Sequence, residues 1–229
     1  MILLLASIAD QNTAAFAREF AGLATVLTCY DLARWPSRFF HRRFTDSTIS
    51  AGGKTIGVAS ISGVLNLLPA IFPEELSFYA EEERAYQTAE LHALIVYFLS
   101  SLACPVVNRP STVSLTGPVQ NPASWLAVAS AAAIPVARVT IASTGKPLFP
   151  AHDPVLQVVC VNGKLITPSA TAADRYTVDL ARHCRLPYLQ AQYRWEGSEI
   201  RFVTASSYPD IRCQRTRTAL REYLLGEIV

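Results

Sequence analysis

Asp10, Gln11 and Asn12 stand where the chain leaves a continuous apolar run, residues 2 to 8, and enters a polar-capped helical pattern reaching about Ala21. A second apolar run, Ala24 to Cys29, follows. Such a β-α-β opening places its first loop at the carboxyl end of a strand, where open α/β sheets bind ligands. Further along, Asn108 and Arg109 end the buried segment Cys104-Pro105-Val106-Val107 and bring an amide and a guanidinium, whose planar fork pairs carboxylate or phosphate bidentately. Asp10, Gln11, Asn12, Asn108 and Arg109 form the expected ligand-binding set. The competing structural role has Asn108 tying its own loop and Arg109 pairing with a helix carboxylate such as Glu90.

A second chemistry is cationic and aromatic. Arg34, Trp35, Arg38, Arg42 and Arg43 interleave with Phe39, Phe40 and Phe44, a pattern that stacks on or pairs with an anionic partner. Arg212 and Arg215, with Arg217 and Arg221 beyond them, line the last segment. Both stretches are expected partner-binding surfaces, against the default of a solvated, partly packed loop.

Other chemistries lack their residues. His41, His92, His152 and His183 include no pair at the i, i+4 spacing of helical metal ligands, so no metal site is expected. His152-Asp153 lies in a proline-rich connector and reads as surface loop. No serine occupies a Gly-x-Ser-x-Gly elbow. Gly53-Lys54-Thr55 is not a phosphate-binding loop, because the required first glycine falls at Thr48. Cys29, Cys104, Cys160, Cys184 and Cys213 are scattered, odd in number and without Cys-x-x-Cys, which fits reduced thiols rather than a disulfide framework. No residue is assigned as catalytic.

Composition narrows the class. The 229 residues are 51% hydrophobic, enough for a sizeable core. A net charge of +2 and a pI near 8.3 are too mild for nucleic acid, which asks for a concentrated basic stripe. Mean hydropathy is +0.24, yet the most apolar stretch, Ala93 to Val107, is too short to span a bilayer and runs into Pro105. The opening Met1-Ile2-Leu3-Leu4-Leu5 lacks the basic start of a signal peptide. The expectation is a soluble, cytoplasmic protein with a protein or peptide partner, no membrane or nucleic acid, and room for self-association.

The elements that position these residues follow from pattern. A hairpin turns at Gly52-Gly53, the acidic-started helix Glu81 to Leu102 precedes the short strand at 104 to 107, and an alanine-rich helix spans Ser124 to Ala133 below Pro122. A strand from Val136 to Ile141 closes this part. Three prolines and a glycine between Thr144 and Pro154 mark a subdomain boundary. Beyond it come a hairpin turning at Asn162-Gly163, a helix from about Ala172 to Cys184, a hairpin across Glu196-Gly197-Ser198 and a closing helix from Arg215 to Glu227. The fold class is α/β: an N-terminal open sheet with flanking helices over residues 1–143, plus a small antiparallel α+β subdomain over 155–229.

The β-α-β start, the helix segment Tyr86-Gln87-Thr88-Ala89-Glu90-Leu91, the strand-loop Cys104 to Pro110 and Trp125 on the next helix together resemble the N-terminal half of ATP-grasp enzymes. The likeness is greatest to the glutamate-ligase-like branch that includes maturases of ribosomally made peptides, and it covers roughly residues 1 to 141. It implies an N-terminal domain that helps hold a peptide or acyl acceptor, and later domains that clamp ATP between two sheets with magnesium on carboxylates and an asparagine. ATP would phosphorylate a carboxylate, and an amine would then attack the acyl-phosphate. This sequence departs from that pattern in two places. Asn121 to Ala133 contains no counterpart of the family's lysine, and the chain reaches Val229 before the expected acidic strand and Glu-x-Asn segment. The resemblance therefore implies an incomplete, noncatalytic ATP-grasp-like protein that binds a partner or peptide in a biosynthetic complex, with no cofactor. One alternative is an ATP- and magnesium-dependent carboxylate-amine ligase with an unusual or partner-completed site; another is a small-molecule-binding module.

Overall fold

The computed structural model describes residues 1–7, 11–20, 22–35, 44–111, 114–117, 121–138, 140–141, 147–148 and 155–227. In chain order the elements are β1 (Ile2–Leu5), α1 (Gln11–Glu19), β2 (Ala24–Leu27), α2 (Cys29–Leu32), β3 (Thr48–Ala51), β4 (Lys54–Gly57), β5 (Gly63–Asn66), α3 (Glu81–Ser101) and β6 (Val106–Val107). There follow α4 (Pro122–Ala131), β7 (Thr140–Ile141), β8 (Pro147–Leu148), β9 (Val155–Val161), β10 (Lys164–Leu165), α5 (Ala172–His183), β11 (Tyr188–Glu196), β12 (Glu199–Ser206) and α6 (Gln214–Leu224). They form two compact units, one of Met1–Thr116 with Asp210–Val229 and one of Gly117–Pro209.

The first unit is built on a four-stranded parallel sheet in the order β2-β1-β5-β6. Ile2, Leu3, Leu4 and Leu5 are all fully buried, which is why β1 reads as an unbroken apolar run rather than an alternating one. The central strand β5 has no sequence expectation behind it: Gly63–Asn66 sits within a longer apolar stretch that carries no periodic signal. Its first residue must be glycine. A Cβ at Gly63 would meet the Leu224 carbonyl oxygen of α6 at 2.9 Å. On α3, Leu91, Ile95, Phe98 and Leu99 are buried, while Glu81, Glu82 and Glu83 sit on the positive end of the helix dipole. The expected hairpin is β3-β4, and Gly52 (φ 55°) and Gly53 (φ 72°) supply the two left-handed positions of its tight turn.

The second unit is a four-stranded antiparallel sheet in the order β10-β9-β11-β12. Asn162 (φ 47°) and Gly163 (φ 80°) make the expected turn between β9 and β10, and Gly197 (φ 65°) lies in the turn between β11 and β12. Helix α4 starts with Asn121 accepting from the Ser124 amide at 2.8 Å and with Pro122 in its first turn. Its Trp125 and Ala129 join α5 and the sheet in one core with Leu189, Tyr193 and Phe202. Inside that core Tyr193 and Thr177 hydroxyls lie 2.9 Å apart, and Thr177 also donates to the Ala173 carbonyl at 2.8 Å.

Packing divides the chain differently from the expected boundary. Helix α4, expected with the first sheet, packs on β12, and α6, expected with the second, packs on β5. Of the expected strand over Val136 to Ile141, the described residues show a parallel bridge from Val136 to Phe202 and the short β7. Most of the connector from 144 to 154, with Lys146, His152 and Asp153, lies outside the described residues.

Candidate functional site

At the carboxyl edge of the parallel sheet, the chain turns out of β2 at Thr28. The Thr28 hydroxyl accepts from the Asp31 amide, and the Asp31 carboxylate accepts from the Thr28 amide at 3.0 Å and hydroxyl at 2.8 Å, a reciprocal cap that fixes the start of α2. The other Asp31 oxygen accepts from the Gly52 amide at 3.1 Å, tying α2 to the β3-β4 hairpin. At the end of β5, buried Asn66 donates to the Leu115 carbonyl at 2.6 Å and accepts from the Leu68 amide at 3.0 Å. Asn66 therefore pins the loop after β6 to the sheet.

Asn108 directly follows β6 and is fully buried. Arg109 donates to the carbonyls of Leu99 (2.7 Å), Leu102 (2.8 Å) and Cys104 (3.0 Å). Its guanidinium thus caps the C-terminal end of α3 and the chain beyond it, where a cation complements the helix dipole. The structural role foreseen for Arg109 was a carboxylate partner; carbonyls take that place. Gln11 and Asn12 form the first turn of α1, with only their backbone described, and Asp10 lies outside the described residues.

Of the first basic-aromatic stretch, Arg34 is exposed, with its guanidinium carbon 4.1 Å from the ring centroid of Tyr30. Trp35 is packed: its indole N–H donates to the Ser50 carbonyl at 3.0 Å, and its ring meets Phe98 edge-on at 5.0 Å. Arg38, Arg42 and Arg43, with His41, lie outside the described residues. Arg212 is exposed and forks onto Asp210 at 2.8 and 3.2 Å, which holds the Asp210 carboxyl below its ordinary range. Arg215 is exposed on α6. Arg217 instead pairs with Glu19 at 2.9 Å.

A concavity that the sequence reading did not foresee lies in the second unit. A cavity of about 510 Å³ is walled by Pro135, Tyr176, Trp195 and Ile200, with Thr171 and Ala172 of the first turn of α5 at its rim. Strand alternation explains the wall. Trp195 lies two residues beyond Tyr193 on the same face of β11 and opposite Ile200, but beyond the reach of the core, and it stays 42% exposed. A bulky aromatic one residue from a hairpin turn was the signal available in the sequence. Behind this hairpin Arg194 is almost fully buried and donates through Nε to Glu196 Oε1 at 3.0 Å and through Nη2 to the Arg138 carbonyl at 3.0 Å. Arg201 approaches Glu196 Oε2 at 3.2 Å. Desolvation raises the Glu196 carboxyl, but hydrogen bonds from Arg194 and the Arg138 amide, with the Arg201 charge, outweigh it and leave Glu196 below its ordinary value.

Among the described residues no group of three or more His, Cys, Asp or Glu side chains converges as a metal site, and no helix is long and apolar enough to cross a membrane.

No family model matches the chain, and no curated protein matches it in sequence. Solved structures do match its fold. The macrocyclase MdnC of Microcystis aeruginosa MRC, bound with precursor peptide MdnA, superposes with a TM-score of 0.68 at 10% identity over 100% of both chains. The ATP-grasp ligase associated with ribosomal peptide maturation in Chryseobacterium gregarium, in complex with ADP and a leader and core peptide, gives 0.70 at 10% identity over 100% of this chain and 97% of that one. The ATP-grasp ligase PsnB, complexed with a phosphomimetic variant of its minimal precursor, Mg and ADP, gives 0.66 at 13% identity over 97% and 98%. The chain has the fold of ATP-grasp ligases. The resemblance read over residues 1 to 141 extends over essentially the whole chain.

Proposed function

We propose that this protein is an ATP-grasp-like partner that holds a peptide within a biosynthetic complex, with the Trp195-Tyr176 cavity as the peptide's anchoring point. The observation that carries this reading is the aromatic concavity, set in a fold whose solved examples include ligases crystallised with precursor peptides. Tyr176 and Trp195 supply large, stiff apolar walls at low entropic cost. An aromatic or branched aliphatic peptide side chain fits such a wall, and single anchors of this kind dominate peptide affinity.

A second reading, an ATP-dependent carboxylate-amine ligase, is favoured by the reach of the fold match, which includes a ligase complexed with Mg and ADP and does not stop at residue 141. Under it, ATP and magnesium are the cofactors. The two readings part at nucleotide binding. Calorimetric titration with magnesium-ATP gives no heat and no change in melting temperature under the first reading, and saturable binding with ADP release on addition of peptide under the second. The peptide site is tested by titrating a library of short peptides against the wild type and Trp195→Ala. Equal affinity for both proteins removes the cavity from the proposal.

A further inference from the structure

A separate pocket opens in the first unit, beside the carboxyl end of β2. It encloses about 320 Å³ and is lined by Cys29 and Tyr30 of α2 and by Glu74, Glu75, Ser77 and Phe78 of the turn before α3. Two aromatic rings make its wall: Tyr30 and Phe78 meet edge to face at 5.4 Å and remain 38% and 44% exposed. Two carboxylates, Glu74 and Glu75, complete it. Neither has an ion-pair partner among the described residues. At the floor, the buried Cys29 thiol donates to Glu75 Oε2 at 3.4 Å. Burial, followed by the charge and hydrogen bond of Glu75, pushes the Cys29 thiol up to about 12, so it stays a neutral donor that orients the carboxylate.

Along the turn that lines the pocket the charges are of one sign. Residues 71 to 83 carry Glu74, Glu75, Glu81, Glu82 and Glu83 and no lysine, arginine or histidine. Two of the described arginines, Arg84 and Arg34, have their own contacts beside the pocket. Arg84 donates to the Tyr79 carbonyl at 3.1 Å and to the Ser77 carbonyl at 3.5 Å, which holds the loop that presents Phe78. Arg34 already lies against the Tyr30 ring, an intramolecular case of the contact that aromatic rings make with cations.

A partly buried carboxylate, Glu75, with the exposed Glu74 and two aromatic rings beside it, selects one kind of ligand. An anion is repelled, and a neutral apolar group leaves Glu75 desolvated without compensation. A cation on an aliphatic stem satisfies both walls, its stem against the rings and its head on the carboxylates. We propose that this pocket binds an organic cation, the primary ammonium or guanidinium borne by a lysine or arginine side chain. The proposal stands on the first unit alone and is independent of the peptide reading of the Trp195 cavity.

The test titrates the full chain with Nα-acetyl-lysine amide and Nα-acetyl-arginine amide, following chemical shifts or heat, against the uncharged analogues Nα-acetyl-norleucine amide and Nα-acetyl-citrulline amide. The expected result is saturable binding of a charged ligand, with its uncharged analogue weaker by about tenfold or more. Glu74→Gln and Phe78→Leu, both at exposed positions, each weaken binding by about threefold to tenfold. Added salt weakens it further. The proposal is overturned if citrulline and arginine derivatives bind equally, if Glu74→Gln and Phe78→Leu both bind as the wild type does, or if neither charged ligand saturates below about 10 mM. Because the probes are single capped amino acids, failure here leaves the peptide site untouched.

Discussion

Replacing Thr177 by valine removes one oxygen from the core and keeps the shape. Thr177 and Tyr193 are both fully buried, 2.9 Å apart, and Thr177 already gives its proton to the Ala173 carbonyl. The Tyr193 hydroxyl is therefore the donor to Thr177. In Thr177→Val that donor is left buried with no acceptor, which costs about 2 kcal/mol. In Tyr193→Phe the donor itself is gone while Thr177 keeps its bond to Ala173, so the loss is about 1 kcal/mol. The double variant presents two apolar groups to each other and also loses about 1 kcal/mol, roughly 2 kcal/mol less than the two single losses added together. Burial also pushes the Tyr193 hydroxyl above its ordinary range, so ionisation does not complicate the comparison near neutrality. Urea unfolding of the four proteins, followed by tryptophan fluorescence, measures the coupling. If the double variant equals the sum of the singles to within about 0.3 kcal/mol, the donor assignment and the argument from it are refuted.

Gly63→Ala forces a methyl against the Leu224 carbonyl at 2.9 Å and should cost about 1–3 kcal/mol by moving α6, whereas Gly53→Ala, with open space around it, should lose only the strain of its positive φ; thermal unfolding ranks the two. Arg109→Ala uncaps α3 and should lower stability by about 1–2 kcal/mol; unchanged stability with lost ligand affinity would return Arg109 to the binding set. Because Glu196 titrates below its ordinary value when folded, its contribution is fully present above about pH 5 and disappears as pH falls through the lowered folded value. Glu196→Gln should therefore flatten the acid side of the urea-midpoint profile while lowering the midpoint at pH 7.

What the sequence disclosed and what it withheld separate along physical lines. Local signals held where one residue type has one explanation: Gly52-Gly53 and Asn162-Gly163 turn hairpins because few other residues adopt positive φ, and Pro122 starts α4 because it has no N–H to lose. The strand β5 was invisible because Gly63-Val64-Leu65-Asn66 is buried on both sides and alternates with nothing. The partners of α4 and α6 were invisible because chain order suggests neighbours but packing chooses them; an alanine-rich helix such as α4 has little sidedness to declare its partner. At the candidate sites, charge and aromatic type pointed to Arg109 and Trp35, yet both are engaged internally, one on carbonyls and one on Ser50 and Phe98. The concavities are made instead by Trp195, Tyr176, Phe78 and Glu75, residues far apart in sequence or unremarkable in their local pattern.

The first unit is split in the sequence, its main part ending at Thr116 and its last helix arriving only after Pro209. Synthesis runs from the N-terminus, and domains generally fold as they emerge. Here the order inverts. Every residue of the unit Gly117–Pro209 is available before α6 exists, so the inserted unit can close while the host sheet still lacks the helix that lies on Gly63. A segment translated after the insert thus completes strands translated before it, and a nascent chain stalled at residue 209 would carry a finished insert on an unfinished host.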